Sequence, residues 1–212
     1  MDFYYMPASA ACRSVLMTAE AIGVKLNLKV IDLKAGDHLT PEFLAINPQH
    51  TVPTLVDDGF PLWESRSILS YLVDKYGKDD SLYPRDDKKR ALVNQRLYFD
   101  SGVLYQRFGE YFYPQIFAKA PADPDKLKRF EEALGFLNTF LDGQTYVAGE
   151  NLTIADLSIF AGVSFFFLTG IDEKSYTNIQ RWYSHLKETV PVIESDRQCL
   201  EEARKWLENA RK

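Results

Sequence analysis

Cysteine and histidine are scarce in this chain of 212 residues, which contains two cysteines and three histidines. Cys12 and Cys199 stand near opposite ends of the sequence, and His38, His50 and His185 are dispersed along it. Two separated cysteines are too few for a disulfide framework, and neither residue type is clustered as a structural zinc site requires. The sequence therefore predicts no metal site and a reducing, cytoplasmic environment.

An excess of basic residues and a long apolar run are also missing. Lys plus Arg total 25 against 30 for Asp plus Glu, a formal net charge of −5, so nothing attracts the chain to nucleic acid or anionic lipid. The most apolar stretch, 154–168, is interrupted by Asp156, Ser158 and Ser164. It is shorter than the roughly 20 residues of a membrane span, and the N-terminus lacks the pattern of a secretory signal. We expect neither a nucleic-acid partner nor a membrane partner.

What the sequence does contain is an ordinary globular balance, with 46% hydrophobic and 26% charged residues. Its first 77 residues alternate between the apolar spacing of strands and that of helices. The turn signal Asp58-Gly59 predicts a hairpin, and Gly23 and Gly77 close two helices. The expected strands are 2–5, 26–31, 54–57 and 60–63, and the expected helices are 9–22, a short one opened by Thr40-Pro41-Glu42, and 65–76. The order is βαβαββα.

Residues 78–87 are polar, acidic and proline-bearing, as a linker between two structural units is. After residue 87 the strand patterns disappear. Helical periods predict helices at about 88–117, 124–141, 153–169, 178–189 and 196–210. We therefore predict an α/β domain over 1–77, a linker over 78–87 and an all-helical domain over 88–212.

The first candidate for chemistry is Ser9, between the first strand and the first helix. A serine there lies at the positive end of the helix dipole, where free backbone N–H groups stabilise an anion such as a thiolate. The plain alternative is that Ser9 only caps the helix, which is a common role of serine.

The second candidate is Val52-Pro53, directly before the hairpin. In this context we expect a cis bond, which would turn the backbone N–H and C=O of Val52 outward, ready to pair with an extended peptide. The alternative is an ordinary trans proline at the start of a strand.

The third candidate is Glu64-Ser65, where the last strand of this domain meets its helix. An acidic side chain beside a hydroxyl and free N–H groups suits a zwitterionic amino acid, since Glu64 can take the ammonium and Ser65 with the helix start can take the carboxylate. Taken alone, the two residues would more often be capping residues.

Together these features resemble a cytosolic glutathione transferase over essentially the whole chain. The segments NPQHTVPTLVD at 47–57, WESR at 63–66 and NQRLYFD at 94–100 are similar to the insect delta class, a serine-type branch. The resemblance implies a thioredoxin-like N-terminal domain and a helical-bundle C-terminal domain. It also implies a detoxifying enzyme that uses glutathione as co-substrate without another cofactor, and a homodimer with Tyr98 and Arg66 near the subunit contact.

The resemblance implies site residues as well. The Ser9 hydroxyl would donate a hydrogen bond to the glutathione sulfur and stabilise its thiolate, without acting as a nucleophile or a base. The tripeptide would be held by the residues that match the family's motifs, which are His38, His50, Thr51, Val52, Pro53, Glu64, Ser65 and Arg66. The sequence departs from the usual delta pattern at Ala8 and Ala11, where glycine and proline are common, so the shape of the loop around Ser9 is open.

Aromatic residues are concentrated in the first long helix of the second domain. Tyr105, Phe108 and Phe112 recur at the spacing of one helix face, a stripe that is usually plain core. By resemblance this helix faces the thiol site. The implied apolar pocket for hydrophobic electrophiles is lined by Met6, Ala10, Leu33, Tyr105, Phe108, Tyr113, Phe117 and Trp206.

Three other functions remain open at this stage. Ser9 and Cys12 have the spacing of a thioredoxin-type redox pair with serine in the first place, although Cys12, one turn inside the helix, suits a buried role better. A non-catalytic carrier of glutathione and hydrophobic ligands would share every binding feature. A partner-binding module of the same fold is disfavoured by the complete set of tripeptide residues.

One further motif is structural. Thr153 and Asp156 precede the apolar helix with the spacing of a capping box, which has a hydroxyl at the N-cap and an acidic group three residues later. We therefore expect the loss of Asp156 to affect folding rather than substrate affinity.

Overall fold

The N-terminal part of the chain is built on one mixed sheet of four strands. The computed structural model describes residues 1–211, apart from the side chain of residue 195; Lys212, the last residue of the predicted helical domain, lies outside it. The strands are β1 (Asp2–Tyr5), β2 (Asn27–Val30), β3 (Thr54–Asp57) and β4 (Phe60–Trp63), and their order in the sheet is β2-β1-β3-β4. β1 runs parallel to β2, while β1 and β3 and also β3 and β4 are antiparallel. The predicted strands are confirmed, with β2 shorter than expected.

Three helices complete this domain, namely α1 (Ala10–Ala21), α2 (Pro41–Ile46) and α3 (Ser65–Tyr76). Two of them begin at a side-chain cap, because the side-chain oxygens of Ser9 and Thr40 accept hydrogen bonds from the first turns of α1 and α2. The hairpin turn has positive φ at Asp58 and Gly59, as a type I′ turn requires.

The rest of the chain is all helical, as predicted. Its helices are α4 (Asp87–Phe99), α5 (Tyr105–Phe117), α6 (Pro124–Phe140), α7 (Ile154–Leu168), α8 (Thr177–Thr189), α9 (Pro191–Ser195) and α10 (Arg197–Arg211). The single helix predicted over 88–117 is wrong in one respect, because a π-helical segment, Asp100–Leu104, separates α4 from α5. Such segments widen a helix locally and are often found at functional sites.

Helix α7 forms the centre of the structure and packs against α1 of the other domain. All its residues from 154 to 166 are buried, which explains why the apolar stretch shows no polar face. The carboxylate of Asp156 fixes the entry of α7, because it accepts hydrogen bonds from the backbone N–H groups of Thr153 (3.0 Å) and Val147 (2.8 Å) and from Trp182 Nε1 (3.0 Å). The predicted capping box is present. No helix within residues 1–211 has the length and apolar character that crossing a membrane requires.

A buried ion pair also joins the two domains. The fully buried guanidinium of Arg13, on α1, donates to both carboxylate oxygens of Asp196, with Nε 2.8 Å from Oδ1. The same group donates to Ser164 Oγ on α7 at 2.8 Å. The helix that starts at Ser9 is therefore tied to α7 and to the beginning of α10.

A second charged cluster lies under the hairpin. Asp57 Oδ2 accepts hydrogen bonds from Tyr71 Oη (2.6 Å), Tyr76 Oη (2.5 Å) and Lys75 Nζ (2.7 Å) of α3. These donors, Lys75 first, lower the pKa of Asp57 to about 2.

Candidate active site

Ser9 lies at the N-terminus of α1 with an extended backbone. Its Oγ accepts a hydrogen bond from the backbone N–H of Cys12 at 3.3 Å, so Ser9 does cap the helix. Accepting this bond does not use the hydroxyl proton, and the neutral thiol of Cys12, which is in hydrogen-bonding contact with the Ser9 side chain, is only a weak acceptor for it. The serine can therefore cap the helix and donate to a ligand at the same time.

Cys12 is fully buried below Ser9. Burial raises the pKa of its thiol to about 12, and the hydrogen-bonding contact with Ser9 lowers it only in part. A thiol of this kind stays protonated at neutral pH and is a poor nucleophile. The environment of Cys12 thus opposes the redox alternative.

The loop before β3 presents an unpaired stretch of backbone. The Val52-Pro53 peptide bond is cis, as expected, and neither the N–H nor the C=O of Val52 has a hydrogen-bond partner among the described residues. The buried side chain of Asn47 holds this loop, because its Nδ2 donates to Thr51 O (3.1 Å) and Thr54 Oγ1 (2.9 Å). Sequence reasoning gave Asn47 no role, although it stands in the quoted 47–57 motif.

The start of α3 combines backbone strain with a buried charge network. Glu64, which is exposed, has a φ of +70°, a conformation that costs a non-glycine residue about 1–3 kcal/mol and is found mainly at functional sites. Arg66 donates from Nη1 to Ser65 Oγ (2.9 Å) and from Nε to Asp100 Oδ2 (3.0 Å). Ser158 Oγ donates to the same Asp100 oxygen at 2.6 Å.

Asp100 and Ser158 are site residues that sequence reasoning missed. Asp100 opens the π-helical segment and is fully buried, and its Oδ1 has no hydrogen-bond partner. A buried carboxylate oxygen without a hydrogen bond leaves part of its desolvation cost uncompensated, which favours a hydrogen-bond donor or a positive charge beside it. Asp100 ends the quoted 94–100 motif, but an acidic residue in a predicted helix does not indicate what its side chain faces.

The two predicted histidines, His38 and His50, lie side by side. The ring centroids of His38 and His50 are 6.0 Å apart, and His38 Nδ1 is buried without a hydrogen-bond partner. His185, for which no role was predicted, packs on Tyr146 elsewhere. In the described part of the chain, no three His, Cys, Asp or Glu side chains are grouped as a metal site would need.

Ser9 opens into a cleft of about 390 Å³ between the two domains. Most of the predicted residues line it: Met6, Ser9, Ala10, Leu33, His38, His50, Thr51, Val52, Tyr105, Tyr113, Phe117 and Trp206. Ala8, Ala11 and Phe165 line it too. The buried Pro53 and the trio Glu64, Ser65 and Arg66 do not. The trio adjoins the cleft through Arg66, whose guanidinium lies 5.6 Å from the ring centroid of Tyr105.

Phe108 is the exception among the predicted pocket residues, because it does not reach the cleft. It is fully buried and packs on the rings of Phe112, Phe130 and Phe166, with centroids 5.0, 5.4 and 4.3 Å away. Its place at the cleft is taken by Phe165 of α7, whose position no sequence signal indicated because α7 is apolar on every face.

Family models identify the class of protein to which this fold and cleft belong. A model described as the glutathione S-transferase N-terminal domain matches residues 3–80, and one described as the glutathione S-transferase C-terminal domain matches residues 103–189. The chain belongs to the glutathione S-transferase family.

Solved structures of insect glutathione transferases resemble nearly the whole chain. A delta-class glutathione transferase of Nilaparvata lugens is 53% identical, with a TM-score of 0.95 and 99% of each chain covered. The Bombyx mori glutathione transferase BmGSTD1 is 45% identical, with a TM-score of 0.92 and coverage of 96% of this chain and 94% of that one. An epsilon-class enzyme of the housefly, Musca domestica, is 37% identical, with a TM-score of 0.91 and coverage of 99% and 96%. The predicted insect delta-class resemblance, fold class and enzyme class are confirmed.

Proposed function

We propose that the protein conjugates the thiolate of glutathione to hydrophobic electrophiles and that Ser9 stabilises the thiolate. The observation that carries the proposal is the double use of Ser9. Its oxygen accepts a hydrogen bond from the N–H of Cys12, and its proton is available for a sulfur anion, which is a far stronger acceptor than the neutral thiol of Cys12. A hydrogen bond to a charged group contributes about 1.5–3 kcal/mol, which corresponds to a lowering of the thiol pKa by about 1–2 units.

The cysteinyl residue of glutathione would pair with the backbone of Val52. Support comes from the unpaired N–H and C=O of that residue and from the hydrogen bonds by which Asn47 fixes the loop. Thr51 and Pro53 would shape the same loop. Added-strand pairing of this kind positions a peptide through its backbone, so it would place the sulfur independently of the electrophile.

The γ-glutamyl end would bind at the start of α3. Its ammonium suits the exposed carboxylate of Glu64, and its carboxylate suits Ser65 and the N-terminus of α3. Arg66 would act mainly by holding Ser65, because Asp100 keeps its guanidinium in place. At the other end of the tripeptide, His38 and His50 would receive the glycyl carboxylate.

The electrophile would occupy the apolar side of the cleft. Met6, Leu33, Phe117, Phe165 and Trp206 are all in its lining. An apolar pocket discriminates weakly, at about 1–3 kcal/mol per methylene. We therefore propose a broad set of hydrophobic substrates, consistent with a role in detoxification in the cytoplasm.

We further propose that the protein is a homodimer. Tyr98, on α4, is 77% exposed, which leaves its ring open to contact with a second subunit. Analytical ultracentrifugation of the wild type and of Tyr98→Ser tests this, since the variant is expected to shift toward the monomer. A wild-type monomer at all concentrations would contradict it.

The decisive experiment on the chemistry titrates the wild type and Ser9→Ala with glutathione. The ultraviolet absorbance of the thiolate is measured at each step. We expect the pKa of the bound thiol to rise, turnover at neutral pH to fall about 10- to 100-fold, and glutathione affinity to change little. Ser9→Thr is the matched control, because it keeps both the hydroxyl and the helix cap. If wild-type protein binds glutathione but generates no thiolate at neutral pH, the protein is a carrier and not an enzyme.

A further inference from the structure

The edge of the sheet formed by β2 is open. β2 is the last strand on its side of the sheet, and all four of its residues are exposed. The backbone N–H groups of Asn27 and Ile31 point inward, because they donate to carbonyl groups of the segment that contains β1, at 3.0 and 2.9 Å. Since this direction alternates along a strand, the N–H and C=O groups of Leu28 and Val30 point outward. Within residues 1–211 these four groups have no hydrogen-bond partner.

Apolar side chains accompany the open backbone groups. Leu28 is 48% exposed and Val30 is 61% exposed. In the register with β1 they stand beside Phe3 and Tyr5, which are buried, so they continue the buried face of the sheet out to its edge. An edge strand that combines unpaired backbone groups with apolar side chains is a template for pairing with another strand.

The opposite face of β2 carries a positive charge. Lys29 lies between Leu28 and Val30, stands beside Tyr4 in the register with β1, and is exposed. It has no ion pair in the described part of the chain. Lys25, two residues before the strand, is also exposed. The edge therefore presents an unpaired ammonium group between two outward-pointing backbone positions.

The two acidic residues next to β2 are already hydrogen-bonded. Asp2 accepts a hydrogen bond from Asn27 Nδ2 at 2.5 Å. Asp32 Oδ1 accepts the backbone N–H groups of Lys34 and Ala35, at 2.8 and 3.1 Å. These carboxylates are held by the ends of the strand, whereas the ammonium of Lys29 is left to pair with a group from outside the chain.

We propose that this edge binds an extended segment of a partner protein in which acidic and aliphatic residues alternate. The inference goes beyond the proposed function and does not depend on it. In a strand paired with β2, the residue opposite Lys29 lies on the face of the ammonium, and the residues before and after it lie beside Leu28 and Val30. A carboxylate fits the first position and aliphatic side chains fit the other two. The backbone bonds supply affinity, and the alternating side chains supply specificity.

A second copy of this chain fits the edge less well. Antiparallel pairing of two β2 strands through Leu28 and Val30 sets the two Lys29 side chains directly opposite each other, and like charges in that position are destabilising. Lysines on edge strands discourage such pairing between copies. The same charge that opposes a second copy favours an acidic strand, so it selects the partner by repulsion as well as by attraction.

The test measures the binding of three fluorescent peptides with blocked ends by anisotropy. EVEVEVE has the proposed alternation, EEEEVVV has the same composition without it, and KVKVKVK reverses the charge. We expect EVEVEVE to bind most tightly and to slow hydrogen exchange at the amides of Leu28 and Val30. The whole chain has a net charge of −5, so general electrostatic attraction would favour KVKVKVK instead.

Two variants locate the binding at β2. Val30→Pro removes an outward N–H and no hydrogen bond of the β1 ladder, which is the place where an edge strand tolerates proline. Lys29→Glu reverses the charge. Each should weaken the binding of EVEVEVE about 5-fold or more. Lys128→Glu is the matched control, because it makes the same change in charge at an exposed lysine of α6, and it should leave binding unchanged.

Three results would overturn the inference. They are a wild type that binds none of the peptides, equal binding of EVEVEVE and EEEEVVV, and equal binding by the wild type and Lys29→Glu. Protection of the Leu28 and Val30 amides that rises with protein concentration in the absence of peptide would assign the edge to a second copy and would also overturn it. Thermal unfolding and glutathione binding of each variant show that it is folded, and none of these results bears on the proposed function.

Discussion

The buried ion pair between Arg13 and Asp196 allows a quantitative test of how the two domains are joined. Arg13 is fully buried and Asp196 is 6% exposed, and Ser164 accepts a further hydrogen bond from the guanidinium. The perturbations are Arg13→Met, Asp196→Leu and the double variant. Each single change leaves one charge buried without its partner, whereas the double change leaves none.

The expected magnitudes follow from that difference. Removing one partner of a buried pair costs about 3–5 kcal/mol, because the remaining charge stays desolvated, while replacing both partners by apolar side chains of similar volume is often close to neutral. We therefore expect each single variant to lose about 3–5 kcal/mol of unfolding free energy. The double variant should lose less than either single variant, which is a strong negative deviation from additivity.

Urea unfolding followed by circular dichroism measures these free energies, at one protein concentration because association would contribute to stability. For a chain of this length, about 2–4 °C of melting temperature corresponds to 1 kcal/mol, so the single variants should melt roughly 6–20 °C lower. A double variant that loses the sum of the two single losses would refute the reasoning, since the two side chains would then stabilise the fold independently.

Two more predictions concern buried carboxylates. Asp156→Ala should lower the free energy of unfolding by about 2–4 kcal/mol, because it removes the acceptor for Trp182 and for the start of α7. The folded variant should retain wild-type glutathione affinity. A stable variant that loses glutathione affinity would contradict this. The low pKa of Asp57 means that its contribution is complete above about pH 4 and is lost as the pH falls toward 2. Asp57→Asn should therefore be about 1 kcal/mol less stable at pH 7, a value kept low because Lys75 is partly exposed. The difference should vanish near pH 2, and a gap that is the same at pH 7, 4 and 2 in urea unfolding would count against the assignment.

Local signals predicted the elements whose cause is local. The hairpin at Asp58-Gly59, the cap at Ser9 and the capping box of Thr153 and Asp156 each depend on residues a few positions apart, and the structure contains all three. The π-helical segment has a different origin. Its first residue, Asp100, pairs with Arg66 and Ser158, which are remote in sequence, and a helical period gives no sign of such a segment.

The same distinction applies to the cleft. The family resemblance predicted cleft residues on the loops of the α/β domain, such as His50 and Val52, and it also predicted Tyr105 and Tyr113 of α5. Phe108 has the spacing of the same helix face, yet it turns into the aromatic core because Phe130 and Phe166 offer it a closed site. Which member of an aromatic stripe is buried depends on the opposing helices, so spacing alone could not settle it.

The cleft draws its two walls from segments far apart in the chain, with Ser9 and the loop of Val52 on one side and α5, Phe165 and Trp206 on the other. Substitutions on the helical side can therefore change which apolar compounds fit the cleft and leave Ser9 and the loop of Val52 unaltered.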